Sequence, residues 1–231
     1  GSSARPPVRA IGDFSISYSP LEIAHTTFGA ETSKSYEVGF KSAWLDRKVR
    51  LNATYYHQDF KNYPYRAPGA GIYYININSN NQANRSRFNF ISAVPVKVDG
   101  VEAELAFTPS EHFNLGTTLN WSKSAISKKA RFACTDVNGD GVPDTGVPSL
   151  AQLQAAYGTE HLAECAAGGS ATFLPEWSGT IQGEYVANLT DSVNAYVRGL
   201  FSWKGSTRND PNNLFDNVGS YGILNLYAGL R

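Results

Sequence analysis

With 231 residues, of which 20 are acidic and 20 basic, the chain carries no formal net charge. That balance excludes nucleic acid or another polyanion as a partner recruited by bulk charge. No run of 18 apolar residues occurs, which excludes a transmembrane helix. The length suits one large domain or part of a bigger one. No methionine is present, even at position 1, so a processed chain or part of a longer one is expected. The opening GSSARPP reads as native loop or as foreign leader, and no signal-peptide pattern is visible.

The first regular pattern is ETSKSYEVGFKSAW, Glu31 to Trp44. Tyr36, Val38, Phe40 and Trp44 fall on one parity, and Glu37, Gly39, Lys41 and Ala43 on the other. A period of two predicts a β-strand, here over Ser35–Trp44, with one apolar and one polar face. A tight polar turn, Leu45-Asp46-Arg47-Lys48, leads to a second strand over Val49–Phe60. There Val49, Leu51, Ala53 and Tyr55 oppose Arg50, Asn52 and Thr54. A long polar stretch from Lys61 to about Val94 follows, with a short strand expected at GIYYININ.

In VKVDGVEAELAF, Val96 and Val98 share one parity, whereas Val101, Ala103, Leu105 and Phe107 share the other. The apolar set changes sides at Asp99-Gly100, which predicts a one-residue β-bulge there. A turn at Pro109–His112 leads to FNLGTTLNWS. About fifty residues without strand pattern then precede EWSGTIQGEYV, a turn near Asn188–Asp191, and VNAYVRGLFSW. One more loop of about fifteen residues reaches YGILNLYAGLR, whose alternation is the least clean.

Seven long strands result, joined by connections that alternate short and long without exception. A soluble sandwich shows shorter strands and no such two-ended rule. Outer-membrane barrels have short periplasmic turns and long outer loops. Energetics agree, because turning Lys41 and Arg50 to lipid would cost about 2–4 kcal/mol each at the midplane. The opposite register places Glu37, Lys41, Arg50, Glu102, Glu104, Glu184 and Arg198 inward, and the apolar face meets lipid. Trp44, Trp121, Trp177, Tyr185 and Trp203 near strand ends suit an interfacial girdle. The expected fold is therefore all-β, a segment of an antiparallel transmembrane β-barrel. Seven strands leave two open edges, which a bilayer does not tolerate, so a larger barrel is expected.

The large loop contains DVNGDGVPD. Oxygen-bearing side chains at Asp136, Asn138, Asp140 and Asp144, with Gly141 for the sharp turn, suit a structural calcium ion. The full EF-hand pattern fails, since its twelfth position is Val147 and not Glu. The competing reading is a solvated Asn-Gly, Asp-Gly turn. Downstream, Ser149 as N-cap, Gln152 three residues on and Gly158 as a stop predict a short helix, with a second turn starting at Thr159. The two cysteines, Cys134 and Cys165, flank this region and are expected to form a disulfide in an oxidising compartment. The alternative is two free thiols. Tyr63, Tyr65, Tyr73 and Tyr74 in the first long loop suit either stacking on a ligand or packing within the loop. His25, His57, His112 and His161 show no catalytic spacing, and inward Glu and Arg residues read as lumen charges paired between strands.

ETSKSYEVGFKSAWLDRKVRLNATYYHQDFKNY resembles the signature region of the TonB-dependent receptor β-barrel, through Glu31, Thr32, Tyr36, Glu37, Gly39, Lys41, Asp59 and Phe60. VDGVEAELAF is similar to that family's Gly-Val-Glu strand through Gly100, Val101 and Glu102, and LPEWSGTIQGEY resembles the strand after a large outer loop. The resemblance implies a plugged, 22-stranded transporter in the outer membrane of a Gram-negative bacterium. It would import a scarce nutrient such as a siderophore–iron complex, energised by the inner-membrane TonB complex acting through the plug. No enzyme activity is expected from the residues themselves, and no cofactor is required, calcium being only a candidate ion. The sequence departs from the family in showing no plug, no energy-coupling box and no C-terminal aromatic strand end. Residues 1–231 are thus expected to form part of the barrel domain, with 124–175 as a large extracellular loop and the plug and final strands absent. A passive porin and a soluble, secreted, calcium-stabilised β-module are the competing readings.

Overall fold

The computed structural model describes residues 19–26, 29–66, 72–172, 174–208, 215 and 217–231. The opening GSSARPP and Gly71 of GIYYININ lie outside these residues. Along the chain come helix α1 (Pro20–Thr26) and strands β1 (Thr32–Trp44), β2 (Val49–Arg66), β3 (Ile72–Ile77), β4 (Ala83–Phe88) and β5 (Ile91–Ser110). Strands β6 (Phe113–Ile126) and β7 (Arg131–Cys134), helix α2 (Leu150–Tyr157) and strand β8 (Ala163–Ala166) follow. The chain continues through β9 (Trp177–Thr190), β10 (Val193–Lys204), β11 (Thr207–Arg208), β12 (Asn217–Val218) and β13 (Tyr221–Leu230).

The seven expected strands form one antiparallel sheet in the order β1-β2-β5-β6-β9-β10-β13, and the remaining strands pair as three two-stranded sheets. Short turns gather at one end, between β1 and β2, β5 and β6, and β9 and β10. In the first of them Leu45, Asp46 and Arg47 all have positive φ, and the Lys48 amide donates to the Leu45 carbonyl at 3.0 Å. The long connections gather at the opposite end.

Cross-strand register shows that one face is continuous and apolar. Val38, Tyr55, Val101, Trp121 and Trp177 are neighbours in one row across five strands. Phe40, Ala53, Ala103 and Leu119 form the next row toward the short turns. No second layer covers this face among the described residues: Tyr36 is 59% exposed, Val38 69% and Ile181 48%. The core instead lies at the long-loop end, on the other face. There Val94, Val96 and Ile126 pack with Phe132, Ala130, Cys134 and Cys165 from the loop that connects β6 to β9. The β3–β4 hairpin adds Ile72 and Tyr74 against Phe90 and Leu162, and Ile75 against Leu153 and Tyr157 of α2.

That cap explains the change of apolar parity in β5 without the expected bulge. The pairing of β2 with β5 runs without a shift from Val49↔Phe107 to Phe60↔Val96, so Asp99-Gly100 is regular strand. Below Gly100 the apolar residues face away from the cap; above it Val96 and Val94 turn under the cap, 2% and 0% exposed. The environment changes sides, not the backbone. Gly100 is there for a different reason, since a Cβ would meet the Tyr56 ring at 2.2 Å. The bulge lies in the partner strand, between Phe60 and Tyr63, where Asn62 takes φ 54°.

Helix α2 matches its sequence signal, with Ser149 and Gln152 forming the reciprocal capping box and Gly158 at φ 57° ending it. The second helical turn expected at Thr159 is not formed. His161 adopts φ 65° and the chain becomes β8, held by pairing with β7. The tertiary partner outweighs a weak local preference.

Candidate functional site

Two regions of the polar face carry chemistry, the cap and the groove below it. Within the cap, Cys134 and Cys165 are bonded across a sequence separation of 31, with Cα atoms 5.8 Å apart. They sit diagonally in the β7–β8 pair, where Cys134 faces Ala163 and Phe132 faces Cys165. The bond closes the loop holding the Asp-rich turn and α2, and such a staple is worth about 3–4 kcal/mol in the chain-entropy view.

In the Asp-rich turn, Asp136 is buried and its carboxylate accepts from the amides of Gly139, Asp140 and Gly141 at 2.7, 3.2 and 2.8 Å. Asp144 accepts from the Val137 amide at 2.7 Å. Asn138 and Asp140 meet each other, with the Asn138 amide donating to Asp140 at 3.0 Å. The turn is therefore folded on its own hydrogen bonds. Among the described residues no three or more His, Cys, Asp or Glu side chains are grouped as a metal centre. The Tyr157 hydroxyl accepts from the Asp136 amide at 2.9 Å, which ties α2 to this turn, and burial pushes that phenol above its ordinary range.

Helix α1 docks on the cap through buried polar side chains. Ser19 caps it, with the Ser19 amide donating to Glu22 and the Glu22 amide donating to the Ser19 hydroxyl. The Glu22 carboxylate also meets His161 Nδ1 at 3.1 Å. His25 bridges Ser92 of β5 at 3.0 Å and Glu164 of β8 at 2.8 Å. Burial raises the Glu22 carboxyl above its usual range, offset in part by the Ser19 amide and His161. The signal for α1 in the sequence is Ser19-Pro20-Leu21-Glu22, a capping box with proline in the first turn, which strand alternation does not reveal.

Of the four loop tyrosines, Tyr65 and Tyr74 are buried and Tyr63 packs against the same core. Tyr73 packs against the Ile75–Leu153–Tyr157 cluster and in addition has the guanidinium carbons of Arg85 and Arg87 on β4 each 5.8 Å from its ring centre. Arg85 is further held by donating to the Pro148 carbonyl at 2.8 Å. Toward the short turns the polar face forms an open groove lined by Lys41, Arg50, Asn52, Glu104, Thr118 and Gln182. Glu184 on β9 accepts two bonds from Arg198 on β10, at 2.8 and 2.6 Å, and a third from Arg231 at 3.2 Å. Of the charges expected to face inward, Glu184 and Arg198 thus pair between strands, whereas Glu37, Lys41, Arg50, Glu102 and Glu104 join no ion pair among the described residues. His57 reaches Asp99 at 2.8 Å, but on the apolar-face parity and away from this groove.

A family model described as TonB dependent receptor-like, beta-barrel, matches residues 4–231. The chain belongs to that family. The receptor segment also resembles two solved structures in fold. One is the ferric yersiniabactin uptake receptor FyuA from Yersinia pestis, with a TM-score of 0.51 and 15% identity over 86% of this chain and 22% of that one. The other is the ferric-catecholate import receptor Fiu from E. coli K12, with a TM-score of 0.51 and 16% identity over 100% of this chain and 25% of that one. The chain thus spans about a quarter of the length of these receptors. No curated protein sequence matches it.

Proposed function

We propose that the chain forms part of the wall and outer mouth of an outer-membrane active transporter. The cargo is a scarce nutrient such as a siderophore–iron complex, and the energy comes from the inner-membrane TonB complex acting through a plug domain. Residues 1–231 belong to the barrel domain in this reading, 124–175 form a large extracellular loop, and the plug and further strands come from elsewhere in the receptor. The observation that carries it is the change of side along β5: apolar residues face away from the cap below Gly100 and lie under it above. A soluble layered protein buries one face along a strand's whole length. Lipid outside the wall and a loop cap inside its mouth account for both halves. Arg85 and Arg87 about Tyr73 suit an anionic, aromatic chelate, in keeping with the ferric cargoes by which the two solved receptors are described.

The test is iron-limited growth of cells depending on the intact receptor, supplied with defined ferric siderophores, with and without a functional TonB complex. Growth that needs both receptor and TonB supports the proposal. Uptake that continues without TonB favours a passive porin. Partition of the receptor into the aqueous phase without detergent overturns the membrane reading altogether.

Calcium at Asp136, Asn138, Asp140 and Asp144 belongs to this proposal as a structural role in the cap. The oxygen-rich donor set supports it, against the three amides that Asp136 already accepts. Melting of the receptor with calcium and with chelator decides it: a rise in Tm that Asp140→Asn abolishes supports the ion, and coincident curves dismiss it.

A further inference from the structure

Directly above the last apolar row, the outward face changes to charge. The row Val38, Tyr55, Val101, Trp121 is followed by Tyr36, His57, Asp99, Lys123, and then by Lys34, Asp59, Lys97. Lys61 lies one row higher, opposite Thr32. All four lysines are exposed and all share the parity of the lipid-facing residues.

The two carboxylates in this patch are already engaged. Asp99 accepts from the Tyr55 hydroxyl at 2.6 Å and meets His57 Nδ1 at 2.8 Å. Asp59 lies 3.3 Å from His57 Nε2 and 3.5 Å from Lys97 Nζ. Lys34, Lys61 and Lys123 have no acidic partner among the described residues. Four ammonium groups face two carboxylates, so the patch is cationic. Strand spacing and rise place Lys97 about 8 Å from Lys123 and about 10 Å from Lys34 at the backbone.

We infer that this outward patch on β1, β2, β5 and β6 is a docking surface for phosphorylated headgroups of the surrounding lipid leaflet. The inference rests on the membrane reading above. The patch continues the lipid-facing band without a break, so its occupant is the upper end of the molecules that cover the band. Lysine stems lie along apolar surface while their ammonium groups reach the headgroup level. A protein partner would want aromatic residues and few lysines at its centre. Here Tyr36 is the last outward aromatic of these strands, and lysine takes over beside and above it. Asp59 and Asp99 fix Lys97 and His57 in place and do not cancel the field.

The experiment uses the intact receptor in phosphatidylcholine nanodiscs doped with bisphosphorylated lipid A, dephosphorylated lipid A or phosphatidylglycerol. Lipid retained after extraction is counted by native mass spectrometry. Bisphosphorylated lipid A is expected to be retained most strongly. Lys34→Ala, Lys97→Ala and Lys123→Ala together should lower that retention by about a hundredfold, while the lumen-facing Lys41→Ala leaves it unchanged. Equal retention of the phosphorylated and dephosphorylated forms, or a triple variant that retains as the parent does, overturns the inference with the receptor still inserted. Preference for phosphatidylglycerol over lipid A overturns the headgroup choice. If the receptor does not insert at all, the membrane reading fails and the docking surface with it.

Discussion

The Tyr56 ring of β2 lies across Gly100 of β5, its cross-strand partner, so closely that a Cβ on Gly100 would meet the ring's Cζ at 2.2 Å. The residue that interrupts VKVDGVEAELAF is therefore a seat for an aromatic ring on the polar face. Gly100→Ala is expected to displace that ring and cost about 1–2 kcal/mol. Because the ring is the far end of a side chain on the open polar face, the sheet should still form. Unfolding of the detergent-solubilised receptor measures the loss. Adding Tyr56→Ala should remove most of the penalty of Gly100→Ala, and a double variant with fully additive losses would count against the ring contact.

Replacing both Cys134 and Cys165 by serine should loosen the cap and spare the sheet. The expected loss is about 3–4 kcal/mol in cap stability. Hydrogen exchange should rise across residues 131–166 and stay level in β9 and β10, whose pairing does not involve the loop. Equal loss of protection in both regions would mean that cap and wall unfold as one unit.

Glu22 makes α1 docking depend on pH, with a defined sign. Its folded-state value is raised above 4.5, chiefly by burial. The helix therefore docks most favourably, as far as Glu22 is concerned, below its unfolded value, and that contribution fades as pH rises through the raised one. Exchange protection of residues 19–26 should thus gain on acidification through this window relative to Glu22→Gln, which cannot titrate. Parallel pH profiles for the two proteins would remove Glu22 as the cause.

The turn after β1 holds Arg47 at φ 68°, a region that residues with a Cβ avoid. Arg47→Gly is expected to stabilise by up to about 1 kcal/mol, the left-handed penalty less the entropy of an added glycine. A fall in Tm would show that the Arg47 side chain makes up for its backbone.

Period-two alternation by itself determined seven strands, the polar and apolar side of most of them, and the gathering of short turns at one end. It could do so because side-chain parity is local: neighbours two residues apart meet the same environment. Helix α2 was equally legible, since Ser149, Gln152 and Gly158 act within one turn of each helix end. The tertiary structure alone decided what lies opposite each face at the long-loop end. Val96 and Val98 look like a bulge until Phe132 and the Cys134–Cys165 bond are folded over them from more than thirty residues away. Long-range pairing also joined His161 to Glu22 and aligned Lys34, Lys97 and Lys123 on one outward patch. Such contacts depend on register and loop closure between distant segments, which no local repeat encodes.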